Sequence, residues 1–362
     1  MKKIIWTAVL IGAAYLLLWP VTVEPVAWDA PENPCYTGAF TANDRLRAIS
    51  LIPLTDNHGP EDIAIDENGN LYAATGEGNI LRFSPEGQNQ QVWARTGGRP
   101  LGIEFDAAGN LLVADAYKGL LSIDPAGQIK LLTNEVDGTP ILYADDVDIA
   151  PNGVIYFSDA STRFGAEANG GTYPASLLDL MEHSRAGRLL AYDPATEQTS
   201  VILSDLQFAN GAAVDPAGQF VLVNETGTYS VTKVWLEGDK AGSHEVIISN
   251  MPGFPDNISA GQNGRFWLGL VSPRAAALDT LSDAPFLRKI VQRLPASLRP
   301  KAVAYGHVVA IDENGTVLHS LQDSETHQPM ATGVTETDDK LFISSLTATT
   351  IGVLNKKDVG ID

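Results

Sequence analysis

The sequence predicts an all-β fold, a six-bladed β-propeller of four-stranded antiparallel blades. Three observations carry that expectation. First, a short phrase recurs six times: an apolar strand, a Gly or Asp turn, and a second strand. Such self-similarity at roughly 40-residue spacing marks a propeller or solenoid rather than two separate domains. Second, the turn within each phrase is a hairpin turn, as in Ile63-Ala64-Ile65, Glu67-Asn68-Gly69-Asn70 and Leu71-Tyr72-Ala73-Ala74, where Asn-Gly joins two apolar runs. Third, the copies share one register. Glu61, Leu101, Asp145, Asn210, Asp256 and Ala331 each stand eight positions before the turn residue, and four of the six bear side-chain oxygens. In a ring these equivalent positions meet at the axis.

The elements follow in chain order. After Lys2 and Lys3, residues 4–23 form an uncharged run of 20 residues, long enough to cross a hydrocarbon core as a helix. Pro25-Val26-Ala27 is a poor cleavage site, so the run reads as an uncleaved transmembrane signal-anchor over residues 1–23. The two lysines place the N-terminus in the cytoplasm and the bulk on the extracytoplasmic side. Residues 24–44, rich in proline, read as a linker, and residues 45–358 as the propeller. Cys35 is the only cysteine, which excludes a disulfide within the chain. A net charge of -20 disfavours nucleic acid or anionic lipid as a partner of the chain as a whole, since both would be repelled.

Strands are lettered A to D within a blade, with A innermost. The last copy supplies A, B and C but no D. The apolar stretch Leu46 to Ile52, ahead of the first copy, is expected to fill that place and close the ring. Ile311-Asp312-Glu313-Asn314-Gly315 imitates a seventh A–B hairpin, but the next copy starts too soon after it to complete a blade; it reads as a C–D turn. Two copies are stretched between B and C, at residues 161–186 and 272–305. B–C loops lie at the end of the ring where strand A begins, so both insertions rise over the axial residues. The second carries Leu278, Leu281, Leu287, Ile290, Val291 and Leu294 at helical spacing. That pattern suits a cap packed on the blades, a lid that shapes an apolar pocket, or a helix touching a bilayer.

Glu61, Asp145, Asn210, Asp256 and Asn257 offer three carboxylates and two amides at the axis. A hard cation such as Ca²⁺ takes six to eight oxygens of this mixed kind, whereas zinc or copper would call for His or Cys. Single Asp and Asn residues at strand starts commonly satisfy backbone donors instead. Four in one register point to a metal set.

The runs Gly59-Pro60-Glu61, Arg99-Pro100-Leu101-Gly102, Phe208-Ala209-Asn210-Gly211 and Met251 to Ile258 resemble the strictosidine synthase-like and adipocyte plasma membrane-associated protein family. That family lies among the six-bladed calcium propellers that include gluconolactonases, senescence marker protein and paraoxonases. The resemblance extends through Val223-Asn224-Glu225-Thr226, Trp235-Leu236-Glu237-Gly238 and the long fifth-blade insertion. It implies a central Ca²⁺ supporting hydrolysis of lactones and aryl esters, with Glu61, Asp145, Asn210, Asp256 and Asn257 as ligands. It also implies a membrane anchor. The departures are specific. Thr332 stands where plant strictosidine synthase uses a glutamate for amine-aldehyde condensation, and Leu101 and Ala116 occupy the positions of the paraoxonase histidine pair. Asp145 replaces an asparagine common among relatives, which adds negative charge.

The expected function is therefore a membrane-anchored, Ca²⁺-dependent lactonase or arylesterase acting on a small-molecule ester. Asp256 is the first choice of general base and Asp146 the second, with Glu225 and Asp159 as supporting carboxylates and His58 as the one histidine near a ligand. A non-catalytic, Ca²⁺-stabilised binding propeller is the alternative, and a strictosidine synthase-like lyase a weaker one.

Overall fold

The computed structural model describes residues 2–362. Six four-stranded antiparallel sheets are arranged as blades in the predicted order. Blade one comprises Asp62–Ile65, Leu71–Ala74, Asn79–Phe83 and Gln91–Arg95, and its successors begin at Pro100, Ala144, Ala209, Gly253 and Ala331. Ser50–Pro53 pairs antiparallel with the last C strand, Ser50 opposite Val353, so the chain's two ends share the sixth blade. The expected closing strand thus starts four residues later than Leu46, because Arg45–Ala48 forms one tight helical turn. The stretch around Gly315 joins Gly306–Asp312 to Val317–Asp323 as strands C and D of blade five.

Apolar side chains on alternate faces of each blade interlock with the next blade, for example Phe220, Leu222, Phe266 and Leu268 between blades four and five. At the axis, adjacent A strands are joined by side chains. Asp62 accepts the Ile103 N–H at 2.9 Å, Thr335 donates to the Ile63 carbonyl at 2.5 Å, and Ser259 donates to the Val334 carbonyl at 2.5 Å. The strands come so close there that a Cβ on Gly211 would lie 2.4 Å from the Ile258 nitrogen.

Five of the six A strands carry a register shift at the same place, spanning Pro100/Ile103, Ala144/Val147, Ala209/Ala212, Pro255/Ile258 and Ala331/Val334. A β-bulge re-aims side chains out of strict alternation. Asp145, Asn210 and Asp256 each occupy the first position inside such a bulge.

Both insertions stand at the end of the ring where the A strands begin. The first contains helix α2 (Thr172–Glu182); the second contains α3 (Ala276–Thr280) and α4 (Pro285–Arg293). Residues 24–31 are threaded between them, and further on the Phe40 carbonyl and the Asn43 side chain bond to Gln322 and Ser320 of blade five. The Val26 N–H donates to the Glu182 carbonyl at 2.8 Å, the Trp28 N–H donates to the Ser282 carbonyl at 3.1 Å, and the Trp28 ring stacks on His183.

The N-terminal helix α1 (Lys2–Leu18) corrects the expected membrane crossing. It has 17 residues, and among the described residues no helix is long and apolar enough to cross a membrane. Pro20 ends it, since proline lacks an N–H and disfavours helical backbone in the residue before it. The remainder of the uncharged run is used differently: Val23 is fully buried against Phe164, Ala175 and Met181, with Val21 beside it.

Candidate functional site

Beneath the two insertions lies a concave, mostly apolar cavity that opens to solvent, the setting in which small-molecule sites are found. Its floor is made by Glu61, Asp145, Asn210 and Asp256, four residues that the shared register places at the axis. Leu101, Tyr143, Phe208 and Phe254 form the lower wall, α2 contributes Tyr173, Leu177, Leu180 and Met181, and Pro300, Lys301 and Ala302 edge the mouth. Tyr143 and Phe208 meet edge to face at 5.3 Å. The apolar Leu101 occupies pocket wall where the paraoxonase-type histidine was absent from the sequence, and Ala116 is buried behind it.

The floor is electrically unbalanced. Glu61, Asp145 and Asp256 are all buried, and among the described residues the one cation paired with them is Arg99, whose Nη2 lies 3.1 Å from Glu61 Oε2. Burial, followed by mutual repulsion, pushes the Asp145 and Asp256 carboxyls well above the ordinary range; burial also raises Glu61, with Arg99 opposing it. Leaving such charges without a counterion is costly, and the alternatives are proton uptake or a cation. The amide oxygens Asn210 Oδ1 and Asn257 Oδ1 are buried without a hydrogen-bond partner. Each orphan would find a partner in a metal ion. Among the described residues no three of His, Cys, Asp and Glu cluster tightly enough to hold an ion alone. An ion here depends on the amides, a donor set of hard oxygens that fits Ca²⁺.

A layer of neutral groups holds this floor in place. The Glu61 carbonyl accepts from Asn257 Nδ2 at 2.9 Å and from the Thr332 hydroxyl at 2.7 Å. Asn224 Nδ2 donates to the Asp256 carbonyl at 2.5 Å, and Thr226 donates to the Pro255 carbonyl at 2.8 Å. Thr332 is therefore an anchor for Glu61, a role its place in the repeat did not announce. Arg99, Asn224 and Thr226 were likewise missed. Arg99 precedes a proline and has no counterpart in the other copies, so repeat spacing offered no signal for it.

The remaining sequence candidates separate. Asp146, the second choice of base, does not line the substrate pocket. It accepts N–H bonds from Ala212 and Val147, both at 2.9 Å, and faces a second cavity on the other side of the floor. The bulge that turns Asp145 toward one end of the channel turns Asp146 toward the other. Asn257 also borders this lower cavity. Asp159 is tied to Arg188 at 2.9 Å and to the Tyr143 N–H at 2.9 Å. Glu225 accepts from the Gln207 N–H and the Thr232 hydroxyl, both at 2.9 Å. Both carboxylates brace loops. His58 is on the exposed surface beside Glu77, outside the pocket.

The lower cavity gathers Asp62, Glu104, Asp146 and Asp148. Burial raises Glu104 to about 8, with repulsion from Asp148 adding to it, and raises Asp148 to about 6. These carboxyls bind protons more tightly folded than unfolded. Their contribution to stability is fully present below the unfolded value near 4 and is lost as pH rises through about 6 and then about 8. In chelator, the denaturant midpoint is expected to fall between about pH 5 and pH 8. Glu104→Gln should flatten that slope; an identical slope in the variant would refute the assignment.

Comparison with known proteins agrees with this architecture. The strictosidine synthase profile matches residues 145–239, and the strictosidine synthase-like N-terminal profile matches residues 38–83. Strictosidine synthase-like protein 10 of Arabidopsis thaliana is 35% identical over 341 residues, covering 86% of this chain and 89% of its own length. The adipocyte plasma membrane-associated protein of Bos taurus is 32% identical over 343 residues, covering 88% and 80%. Among solved structures, a gluconolactonase from Xanthomonas campestris superposes with a TM-score of 0.63 at 18% identity, over 93% of this chain and 99% of that one. A calcium-binding protein, regucalcin, from Agrobacterium tumefaciens gives a TM-score of 0.55 at 14% identity, over 84% and 91%. At those identities the solved structures share the fold. With two long relatives above 30% identity, the chain belongs to the strictosidine synthase-like family.

Proposed function

We propose that the protein is a Ca²⁺-dependent hydrolase of lactones or aryl esters, attached to a lipid bilayer through α1. The observation that supports it most is the union of an apolar pocket with a floor of three under-compensated carboxylates and an unpartnered amide oxygen. Glu61, Asp145, Asn210, Asp256 and Asn257 would hold the ion. When bound, Ca²⁺ supplies a Lewis acid that polarises the ester carbonyl and stabilises the developing oxyanion.

The chain's own residues do the rest. Leu101, Phe208, Phe254 and α2 take up the apolar body of the substrate and exclude bulk water. Asp256 Oδ is the base for the attacking water; Asn224 and Thr226 fix the backbone on which it stands, so its carboxylate keeps one orientation. The proton leaves water for Asp256 and passes to the departing alkoxide. Arg99 holds Glu61 against the floor rather than meeting substrate.

Attachment to lipid is supported by the surface of α1, where Ile4, Trp6, Leu10 and Leu18 are 74%, 68%, 67% and 78% exposed. A helix that is apolar on most of its surface beyond Lys2 and Lys3, and touches protein only along its contact with α4, suits a lipid environment.

The test is hydrolysis of phenyl acetate and of a δ-lactone by full-length protein stripped with chelator and then titrated with Ca²⁺. Activity should vanish on stripping and return with Ca²⁺. Turnover that is indifferent to chelator would overturn the reading, and no turnover in saturating Ca²⁺ would leave a binding propeller.

A further inference from the structure

We propose that the cap surface around the pocket mouth seats on an anionic lipid surface, so that the pocket takes its substrate from the bilayer. The choice of substrate source rests on the hydrolase reading above; the docking surface does not.

Charge points to this face. The chain carries a net charge of -20, yet between Pro285 and Tyr305 there are five cationic residues, Arg288, Lys289, Arg293, Arg299 and Lys301, and no acid. Their duties differ. Arg288 and Arg293 are buried and spend their guanidinium groups on carbonyls: Arg288 on those of Met181, Val26 and Ser282, and Arg293 on those of Leu16 and Trp19. Lys289 pairs with Glu24. Arg299 donates to the Leu294 carbonyl, and Lys301, on the rim of the pocket, enters none of the ion pairs found among the described residues. Cations in such a setting are drawn to anionic headgroups, each by roughly 1 kcal/mol near the surface.

Apolar side chains share the same face. Phe286, Leu287, Leu298 and Val303 are 53%, 45%, 67% and 60% exposed. Leu298 and Val303 flank Pro300, Lys301 and Ala302 at the mouth, and Phe286 and Leu287 lie on α4, whose Arg288 donates to the carbonyl of the pocket residue Met181. At the mouth the Ala302 N–H donates to the Tyr173 hydroxyl at 3.0 Å and the Val303 N–H donates to Ser272 Oγ at 2.9 Å. Helix α1 packs on α4, and Arg293 clamps the C-terminal end of α1 to it. The exposed apolar helix is thereby fixed to the cap rather than tethered at a distance. Exposed apolar side chains around Lys301, the one of the five cations with no carboxylate or carbonyl partner among the described residues, make an interfacial surface. A second copy of this acidic chain would suit it less, whereas an anionic bilayer meets both the charge and the apolar face.

The substrate class follows from that geometry. A molecule entering here has an apolar body long enough to partition into lipid and an ester or lactone carbonyl at the end that reaches the floor. Long-chain lactones and esters fit; small, freely soluble sugars do not.

The test uses full-length protein with Cys35→Ser, which removes the single exposed thiol, and a polarity-sensitive fluorophore on Leu298→Cys or, as control, on Asn152→Cys at the opposite end of the ring. Vesicles of phosphatidylcholine with and without phosphatidylserine are added, and flotation is measured in parallel. The expected result is a blue shift and a rise in emission at position 298, stronger with phosphatidylserine, and none at 152. Flotation with position 298 still in water would overturn the proposal, as would failure to float. A rise at 298 that depends on protein concentration without vesicles would assign the face to a second copy and overturn it equally. In the paired assay, Phe286→Asp with Leu298→Asp should lower hydrolysis of vesicle-dissolved δ-dodecalactone by roughly tenfold or more, given the cost of charge in the apolar boundary. Phenyl acetate in solution should be hydrolysed as before. Equal losses on both substrates would refute delivery from lipid. If neither is hydrolysed by the parent protein, the hydrolase reading fails and the fluorophore alone decides the docking surface.

Discussion

Glu61→Gln and Asp256→Asn are each expected to lower ester hydrolysis by at least about 100-fold at limiting Ca²⁺ while leaving the propeller folded. Each change keeps the side-chain volume and removes one negative charge from a floor that has an excess of them. In the metal-free state the variants should be no less stable than the parent, because the buried carboxyls are already pushed toward their protonated forms. Ca²⁺ should therefore stabilise the parent and do little for the variants. The two substitutions differ in one respect. Glu61→Gln weakens the hold on the ion alone, so raised Ca²⁺ should restore part of the activity. Asp256→Asn also removes the base, so added Ca²⁺ should not. Steady-state rates across a Ca²⁺ series, with circular dichroism to check the fold, separate the cases; equal rescue of both would remove Asp256 from the proton-transfer role.

The largest effect on stability is expected where blade five meets blade six. Glu336 in blade six accepts from Arg265 at 2.7 Å, Lys356 at 2.8 Å and Trp267 Nε1 at 2.8 Å, with its side chain fully buried. Arg265 belongs to blade five and Lys356 to the C-terminal turn, so one carboxylate joins three separate stretches of chain. Glu336→Ala strips the partner from two buried cations, whose side chains are only 7% and 3% exposed. Breaking a buried ion pair from one side costs roughly 3–5 kcal/mol. The denaturant midpoint should fall accordingly at neutral pH, while the folded fraction keeps its pocket and its rate. A loss under about 1 kcal/mol would mean that water replaces the carboxylate without penalty.

Much of the ring was legible because its punctuation is local. The Asn-Gly and Ala-Gly turns between apolar runs fix the A–B hairpins, and their count fixes the blades. The absence of a D strand in the last copy identified the closing strand, and the position of each long insertion identified the end of the ring that it covers. The four oxygen-bearing residues converge on one floor because they hold equivalent places in equivalent strands.

What the sequence did not disclose depends on contacts between distant segments or on departures from alternation. The bulges at Ala144/Val147 and Pro255/Ile258 decide that Asp145 and Asp256 face the pocket while Asp146 and Asn257 border the lower cavity. No residue pattern along the strand marks such a shift. The prolines of residues 24–44 suit an extended chain equally well whether it is free or packed against the two insertions and blade five. The uncharged run through Val23 was divided by Pro20, with the part beyond it drawn into the cap by burial of Val23. Arg99 came to the floor through a partner 38 positions away, a pairing that composition does not encode.

The central claim is that one Ca²⁺ is held at the pocket floor by the repeated axial residues. Calorimetric titration of Ca²⁺ into metal-stripped full-length protein, alongside Asn210→Ala and Asp145→Ala, tests it most directly. The account predicts a binding event in the parent that both variants lose or weaken by at least about tenfold. Binding of the same strength in all three proteins, or none in the parent, would contradict it.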